Sequence, residues 1–131
     1  MKHLFDEGKA LVIVGPQGSG KTTLAQLIAK ACGDDFVTIH VGETFNEFVL
    51  GGKLAESPMT AIIEDVDLRP YPEEDVAKLK HLIVNDHCEC NRKGKDPATV
   101  KTPNFIFCTG SIDALNTDVK DRRFKVIEIH D

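Results

Sequence analysis

Short apolar runs recur along this 131-residue chain, separated by polar or glycine-containing segments. They are rich in Val, Ile and Phe, and their length and composition are typical of β-strands. Continuous apolar runs of this kind are found in strands that are buried on both faces of a sheet. The predicted strands are residues 11–14, 36–41, 60–63, 104–108 and 124–129.

A helix is predicted between the first two strands. Leu24, Leu27, Ile28 and Ala31 repeat at the i, i+3, i+4, i+7 spacing of one helical face. Gly33 follows at the position that a C-capping glycine takes. We therefore expect this face to pack on the sheet.

A second helix is predicted after the third strand. Pro72 suits the first helical position, and the acidic residues at 73–75 favour a helix N-terminus. Its apolar stripe is formed by Val76, Leu79 and Ile83, and it is expected to end near residue 84.

The alternation of strands and helices predicts an α/β protein, a three-layer sandwich with a mainly parallel five-stranded sheet. The length suits a single domain over residues 1–131. We find no apolar run long enough to cross a membrane and no secretory leader pattern, so we expect a cytoplasmic protein. In that reducing compartment the four cysteines should be free thiols.

Residues 87–101 predict a β-hairpin, because two short stretches flank a turn of polar residues and glycine. Its tip contains Arg92, Lys93 and Lys95, in a protein of net charge −5. That net charge argues against attraction of the whole surface to nucleic acid, so any contact would be local. A charged turn is often only solvated, but these three side chains could also contact a phosphate backbone.

The most specific chemical signal follows the first predicted strand. Residues 15–22, Gly-Pro-Gln-Gly-Ser-Gly-Lys-Thr, match the pattern GxxxxGK(S/T). The glycines let backbone N–H groups approach a polyphosphate, Lys21 adds a positive charge, and Thr22 offers a hydroxyl to Mg²⁺. The alternative is a glycine-rich turn with an exposed lysine, but a strand and a helix stand on either side, as a nucleoside triphosphate site requires. The expected nucleotide-binding residues are Gly15, Pro16, Gln17, Gly18, Ser19, Gly20, Lys21, Thr22 and Thr23.

Two acids, Glu64 and Asp65, come directly after the third predicted strand. The carboxyl ends of parallel strands form the ligand crevice of such sheets. A metal–triphosphate complex needs a carboxylate near the magnesium, and hydrolysis needs a group that activates water. The alternative is that both acids simply end the strand in solvent. For Asp67, a role in the turn is an equal alternative.

Two further groups of polar residues stand beside later strands. Ser111, with Thr109, ends the strand predicted at 104–108 and could contact the γ-phosphate or the attacking water, or a hydroxyl could cap the strand end. Arg122 and Arg123 precede the last strand. In a ring they could reach the neighbouring subunit's nucleotide and stabilise transition-state charge, or they could be solvated surface arginines.

These motifs resemble, in the same order, those of the AAA+ branch of P-loop ATPases, and within it the superfamily 3 helicases of viruses, phages and plasmids. Residues 15–22 resemble Walker A, and residues 61–67, Ala-Ile-Ile-Glu-Asp-Val-Asp, resemble Walker B. Residues 79–109 resemble the segment with a DNA-gripping hairpin that leads to sensor 1, where Ser111 stands. Residues 121–124, Asp-Arg-Arg-Phe, resemble the arginine-finger region.

The resemblance implies a motor core that binds Mg-ATP between the subunits of a ring, expected to be hexameric, and moves a basic hairpin along single-stranded DNA. The implied catalytic residues are Lys21, Asp65, Ser111, Arg122 and Arg123; the magnesium ligands are Thr22 and Glu64; and the DNA contacts are Arg92, Lys93 and Lys95. The rival functions are an AAA+ ATPase that remodels proteins, a small P-loop kinase, and a nucleotide-binding module without turnover.

Overall fold

The structure, a computed structural model, describes residues 10–33, 35–40, 59–85, 87–90, 94, 96, 98–111 and 124–129. Its strands are β1 (Ala10–Val14), β2 (Phe36–His40), β3 (Thr60–Glu64), β4 (His87–Cys90), β5 (Ala98–Lys101), β6 (Asn104–Thr109) and β7 (Phe124–Glu128). Its described helices are α1 (Lys21–Cys32) and α2 (Glu73–Val84). The five strands predicted for the central sheet and both predicted helices are confirmed, and the strand boundaries differ from the predicted ones by one residue at most.

The central sheet is parallel throughout, with the strand order β2-β3-β6-β1-β7. Strand β6 therefore lies between β1, which precedes the glycine-rich loop, and β3, which precedes the acids. It pairs with β1 in the register Val14↔Thr109 and with β3 in the register Ile63↔Phe107. Because these strands run in one direction, their carboxyl ends share one edge of the sheet, and the predicted site residues that follow β1, β3 and β6 meet there.

Side chains of the central strands alternate between two buried clusters, one on each face of the sheet. The first cluster joins Leu11, Ile13, Ile62, Ile106 and Cys108 to Ala25, Ile28 and Ala29 of α1. The second joins Val12, Ile39, Ala61, Ile63, Phe105 and Phe107 to Val76 and Ile83 of α2. One helix on each face makes a three-layer sandwich, as predicted.

The predicted hairpin is confirmed as an antiparallel pair of β4 and β5, with His87 opposite Lys101. Val100 of β5 is half-buried and packs against the core on the α2 face, so the hairpin is anchored to the domain. Gly94 has a φ of 75°, a left-handed conformation that glycine adopts readily. The basic side chains predicted for the tip, Arg92, Lys93 and Lys95, lie outside the described residues.

The predicted apolar face of α1 is wrong in part. Ala25, Ile28 and Ala29 are buried, whereas the side chain of Leu27 is 60% exposed and Ala31 is exposed. At about 100° per residue, Leu27 lies roughly opposite Ala25 on the helix. Small side chains at 25 and 29 let α1 lie close to the sheet, so the packing favours the alanine side of the helix over the side with more leucine.

Helix α2 follows its prediction closely. It begins at Glu73, directly after Pro72, and its apolar residues Val76 and Ile83 are buried as expected. Among the described residues, neither helix has the length and apolar composition needed to cross a membrane.

The orientation of α1 can be tested by comparing Leu27→Ala with Ile28→Ala. We expect Ile28→Ala to lower the free energy of unfolding by about 2–4 kcal/mol, because it leaves a cavity under the helix. Leu27→Ala should change it by less than about 0.5 kcal/mol, because that side chain is largely in solvent. Urea denaturation curves, fitted with one shared m-value, would measure the change in the free energy of unfolding of each variant. Equal losses in the two variants would contradict the observed orientation.

Candidate functional site

The glycine-rich loop leaves the carboxyl end of β1 and returns into the first turn of α1. Its first residue is held to β6, since Gly15 N–H donates to the Thr109 carbonyl at 3.1 Å. Within the loop, Ser19 N–H donates to the Pro16 carbonyl at 3.1 Å. Gly18 and Gly20 have φ values of 82° and 89°. Residues with a Cβ rarely adopt such angles, so these glycines are required by the backbone.

Gly15 is required for a different reason, which is close approach. A Cβ at this position would lie 2.8 Å from Ser19 Oγ and 3.1 Å from Ile129 Cβ. Ile129 is held in place by its N–H, which donates to the Val14 carbonyl at 2.7 Å. A Cβ added at Gly18 or Gly20 would instead meet nothing within 4 Å. The tip of the loop is therefore open, and an anion can approach the backbone there.

The N-terminus of α1 adds a favourable electrostatic field. Gly20 is its N-cap, with no side-chain capping hydrogen bond, and the first turn has no acidic residue. The first N–H groups of a helix have no partners within the helix, and the helix dipole adds positive potential at this end. This end of the helix and the open loop therefore suit a phosphate group.

Lys21 lies over the loop that it follows. Its Nζ donates to the Gly15 carbonyl at 2.6 Å and to the Pro16 carbonyl at 3.0 Å. These bonds hold the ammonium group beside the loop backbone, where a bound polyphosphate would lie. Phosphate oxygens are charged acceptors, so they could replace these neutral carbonyl partners.

Glu64 and Asp65 differ sharply in environment. Glu64 ends β3 and is only 7% exposed, whereas Asp65 is exposed. Asp65 has a φ of 54°, and among the described residues it is the non-glycine residue with positive φ. Hydrogen bonding between the chain after β3 and strand β6 resumes at Val66, whose N–H donates to the Cys108 carbonyl at 3.1 Å. Asp65 is therefore an extra residue that bulges from the end of the ladder, and it can point away from the strand.

The pKa of the Cys108 thiol responds to charged residues on both sides of β6. Burial raises the pKa of this thiol to about 11, and the nearby Glu64 carboxylate adds to the rise. The Lys21 ammonium lowers the pKa of Cys108, and Asp65 raises it further. Its Sγ also lies 3.9 Å from the Lys21 carbonyl oxygen. The charges of Lys21, Glu64 and Asp65 therefore all act on the Cys108 thiol at the end of β6.

Thr109 and Ser111 occupy the middle of this edge. Thr109 is 2% exposed, and its Oγ1 lies 2.9 Å from the Val66 carbonyl and 3.1 Å from the Ser111 carbonyl. The Ser111 N–H approaches the same hydroxyl at 3.4 Å. The hydroxyl of Thr109 is therefore used within the protein, which is the strand-capping alternative. Ser111 is partly exposed, directly after this cap.

Asp67 forms hydrogen bonds within the turn, which is one of the two roles that the sequence left open for it. Its carboxylate accepts from Arg69 Nε and Nη2, both at 2.9 Å, and from the Arg69 N–H at 3.1 Å. The side-chain hydrogen bond from Arg69 is the main cause of a lowered pKa of Asp67, and desolvation opposes it. Both side chains are about half exposed, so the pair contributes little to stability.

The structure thus brings together the loop residues 15–22, Glu64, Asp65 and Ser111. Arg122 and Arg123, predicted to act from a neighbouring subunit, lie outside the described residues. Sequence reasoning missed the position of Cys108 beneath the loop and the bridging contacts of Thr109. The sequence does show that an apolar strand ends in polar residues at this point. That pattern does not predict the direction in which the Thr109 hydroxyl points.

Two solved structures share this architecture. The apo C-terminal region of NrS-1 aligns with 93% of the chain at a TM-score of 0.68 and 25% identity. The JCV helicase, solved with a bound small molecule, aligns with 93% of the chain at a TM-score of 0.60 and 22% identity. These likenesses, the parallel sheet and the loop after β1 show that the fold is that of a P-loop NTPase.

Two curated relatives also align with most of the chain. ClpY of Bacillus velezensis, described as the ATPase subunit of an ATP-dependent protease, is 29% identical over 123 residues, or 88% of the chain. The Lon protease of Nitratidesulfovibrio vulgaris is 27% identical over 126 residues, or 95% of the chain. The chain covers 12% of this Lon protease, 25% of ClpY, 29% of the NrS-1 region and 36% of the JCV helicase chain.

One family matches most of the chain. The match runs over residues 13–123, from the end of β1 to the residue before β7, and so includes the loop, both acids and the hairpin. This chain belongs to the family of unknown function DUF5906.

Proposed function

We propose that this chain is a single core domain that binds and hydrolyses Mg-ATP, and that it drives a superfamily 3-type helicase acting on nucleic acid. The observation that supports it most is that an open glycine loop with Lys21 bonded to it, after β1, and the acids Glu64 and Asp65, after β3, lie at one edge of the parallel sheet. The sequence similarity to ClpY, an ATPase by name, also supports nucleotide hydrolysis.

Each residue has a distinct role in this proposal. The open loop and the N-terminus of α1 bind the phosphates, and Lys21 exchanges its carbonyl partners for phosphate oxygens. Thr22 and Glu64 would hold magnesium, which when bound neutralises part of the triphosphate charge. Asp65, exposed on its bulge, orients and deprotonates the attacking water.

The remaining roles concern partners. Ser111 contacts the γ-phosphate or the water from the end of β6. Arg122 or Arg123 stabilises transition-state charge at a neighbouring subunit's site, which requires a ring that we expect to be hexameric. Arg92, Lys93 and Lys95 contact the backbone of single-stranded DNA. The fold shared with the JCV helicase is consistent with this use of the domain.

A protein-remodelling ATPase is the second candidate. Its specific support is the sequence similarity to ClpY and to a Lon protease, which extends over most of the chain. The two functions share the nucleotide site and differ in what the hairpin touches. Nucleic-acid binding therefore separates them, whereas ATP hydrolysis does not.

Nucleotide binding is tested by Lys21→Met, which keeps the length of the side chain and removes its charge. We expect the affinity for Mg-ATP to fall about 10-fold or more, because charge-assisted bonds to phosphate are lost. Lys30→Met is the matched control, since Lys30 is an exposed lysine in the last turn of the same helix. Calorimetric titration measures both. A wild-type chain that takes up no Mg-ATP would overturn the proposal.

The water-activating role is tested by Asp65→Asn. Asparagine tolerates the same left-handed backbone, so the bulge should persist while the base is lost. We expect kcat to fall about 100-fold or more with ATP affinity nearly unchanged. Asp67→Asn is the control, because Asp67 pairs with Arg69 in the turn, and it should retain kcat. Normal turnover in the Asp65→Asn variant would show that Asp65 is not the general base.

The hairpin role is tested by Lys93→Ala/Lys95→Ala. Each lysine that contacts a phosphate releases counterions, so the double variant should bind single-stranded DNA more weakly. The slope of log K against log salt should be shallower by about 1.4. Anisotropy titrations with a labelled oligonucleotide would measure this, with Lys30→Ala as the control. Unchanged DNA binding, with normal ATP hydrolysis, would favour the protein-remodelling function.

A further inference from the structure

Thr109 contacts both halves of the site through two different groups. Its carbonyl accepts from the N–H of Gly15, the first residue of the glycine loop, at 3.1 Å. Its side-chain hydroxyl lies 2.9 Å from the carbonyl of Val66, the residue directly after Asp65. One residue at the end of β6 is therefore bonded to the loop on one side and to the acid turn on the other.

The bond to Val66 matters because of the conformation of its neighbour. Asp65 has a φ of 54°, which costs free energy for a residue with a Cβ and persists only where the surroundings impose it. Val66 is 2% exposed, and β6 holds it at both backbone groups, its N–H through the Cys108 carbonyl and its carbonyl through Thr109 Oγ1. These two bonds fix the chain immediately after Asp65.

We propose that Thr109 is a positioning residue that sets the acid turn relative to the phosphate loop through its hydroxyl. The inference rests on the proposed function, because it assumes that Asp65 acts on a nucleotide held by the loop. It assigns the hydroxyl proton to the Val66 carbonyl at 2.9 Å, which is nearer than the Ser111 carbonyl at 3.1 Å, and not to the nucleotide. Loss of the hydroxyl should then lower turnover and leave nucleotide affinity unchanged, since the bond to Gly15 uses only the main chain.

Thr60 provides a matched control in the neighbouring strand. It is fully buried at the start of β3, the opposite end of the sheet, and its hydroxyl has no hydrogen-bond partner among the described residues. Thr60→Val and Thr109→Val therefore make the same chemical change at two buried positions. Only the second removes a hydrogen bond that the structure describes.

The experiment compares wild type, Thr109→Val, Thr109→Ser and Thr60→Val in the 131-residue chain. Calorimetry gives the Kd for Mg-ATP, and steady-state assays give kcat. We expect Thr109→Val to lower kcat about 10-fold or more, with Kd within about threefold of wild type. Thr109→Ser keeps the hydroxyl and should restore kcat to within about threefold. Thr60→Val should match wild type in both quantities.

Amide hydrogen exchange adds a readout that does not depend on turnover. Thr109→Val should speed exchange at Val66, which loses one of its two bonds to β6, and Thr109→Ser should not. A wild-type kcat in Thr109→Val would overturn the inference, and so would equal losses of kcat in Thr109→Val and Thr60→Val. Neither result would affect the proposed function. A parallel loss of affinity for Mg-ATP would indicate that the hydroxyl contacts the nucleotide. That result would also overturn the inference. A wild-type chain that binds no ATP would overturn the proposed function, and the inference with it.

Discussion

The site depends on strand β6 being hydrogen-bonded between β1 and β3. Neighbouring parallel strands lie about 4.8 Å apart, so β6 separates the loop from the acid turn by roughly 10 Å. In the proposed function, the phosphate groups and the metal ion lie in this gap. The end of β6 also bonds to both sides, through Thr109 to Gly15 and through Cys108 and Thr109 to Val66. A single strand therefore sets the separation and the alignment.

Burial on both faces of the sheet specifies the register of these strands. Strand side chains alternate between the α1 cluster and the α2 cluster, so a slip of one residue in register would exchange the two faces. Glu64 follows the alternation on the α1 face, where its charge acts on Cys108. The next residue, Asp65, leaves the ladder and reaches solvent. Two adjacent acids thereby acquire different environments, which is the difference that their separate roles in the proposed function require.

Local patterns predicted the strands and helices well, but they predicted the buried face of α1 incorrectly in part. They also left open the hydrogen-bond partner of the Thr109 hydroxyl. The stripe at Leu24, Leu27, Ile28 and Ala31 has correct helical spacing, yet Leu27 is exposed, because Ala25 and Ala29 face the sheet. Spacing alone does not choose between overlapping faces, since the choice depends on how closely the helix approaches the strands. Likewise, the pattern at residues 109–111 allowed a phosphate contact or a strand cap, and only the position of Val66 decides for Thr109.

The amino-acid sequence by itself determined the α/β class, the strand and helix boundaries to within about a residue, and the position of the glycine-rich loop between the first strand and the first helix. These follow from short-range patterns, in which hydrophobic periodicity and turn residues act over a few positions. The tertiary structure decided that β6 lies between β1 and β3, that Cys108 lies beneath the loop, and that Asp65 bulges from the end of β3. Those features arise from hydrogen bonds between segments more than 40 residues apart, such as Thr109 and Val66, and no local pattern contains that information.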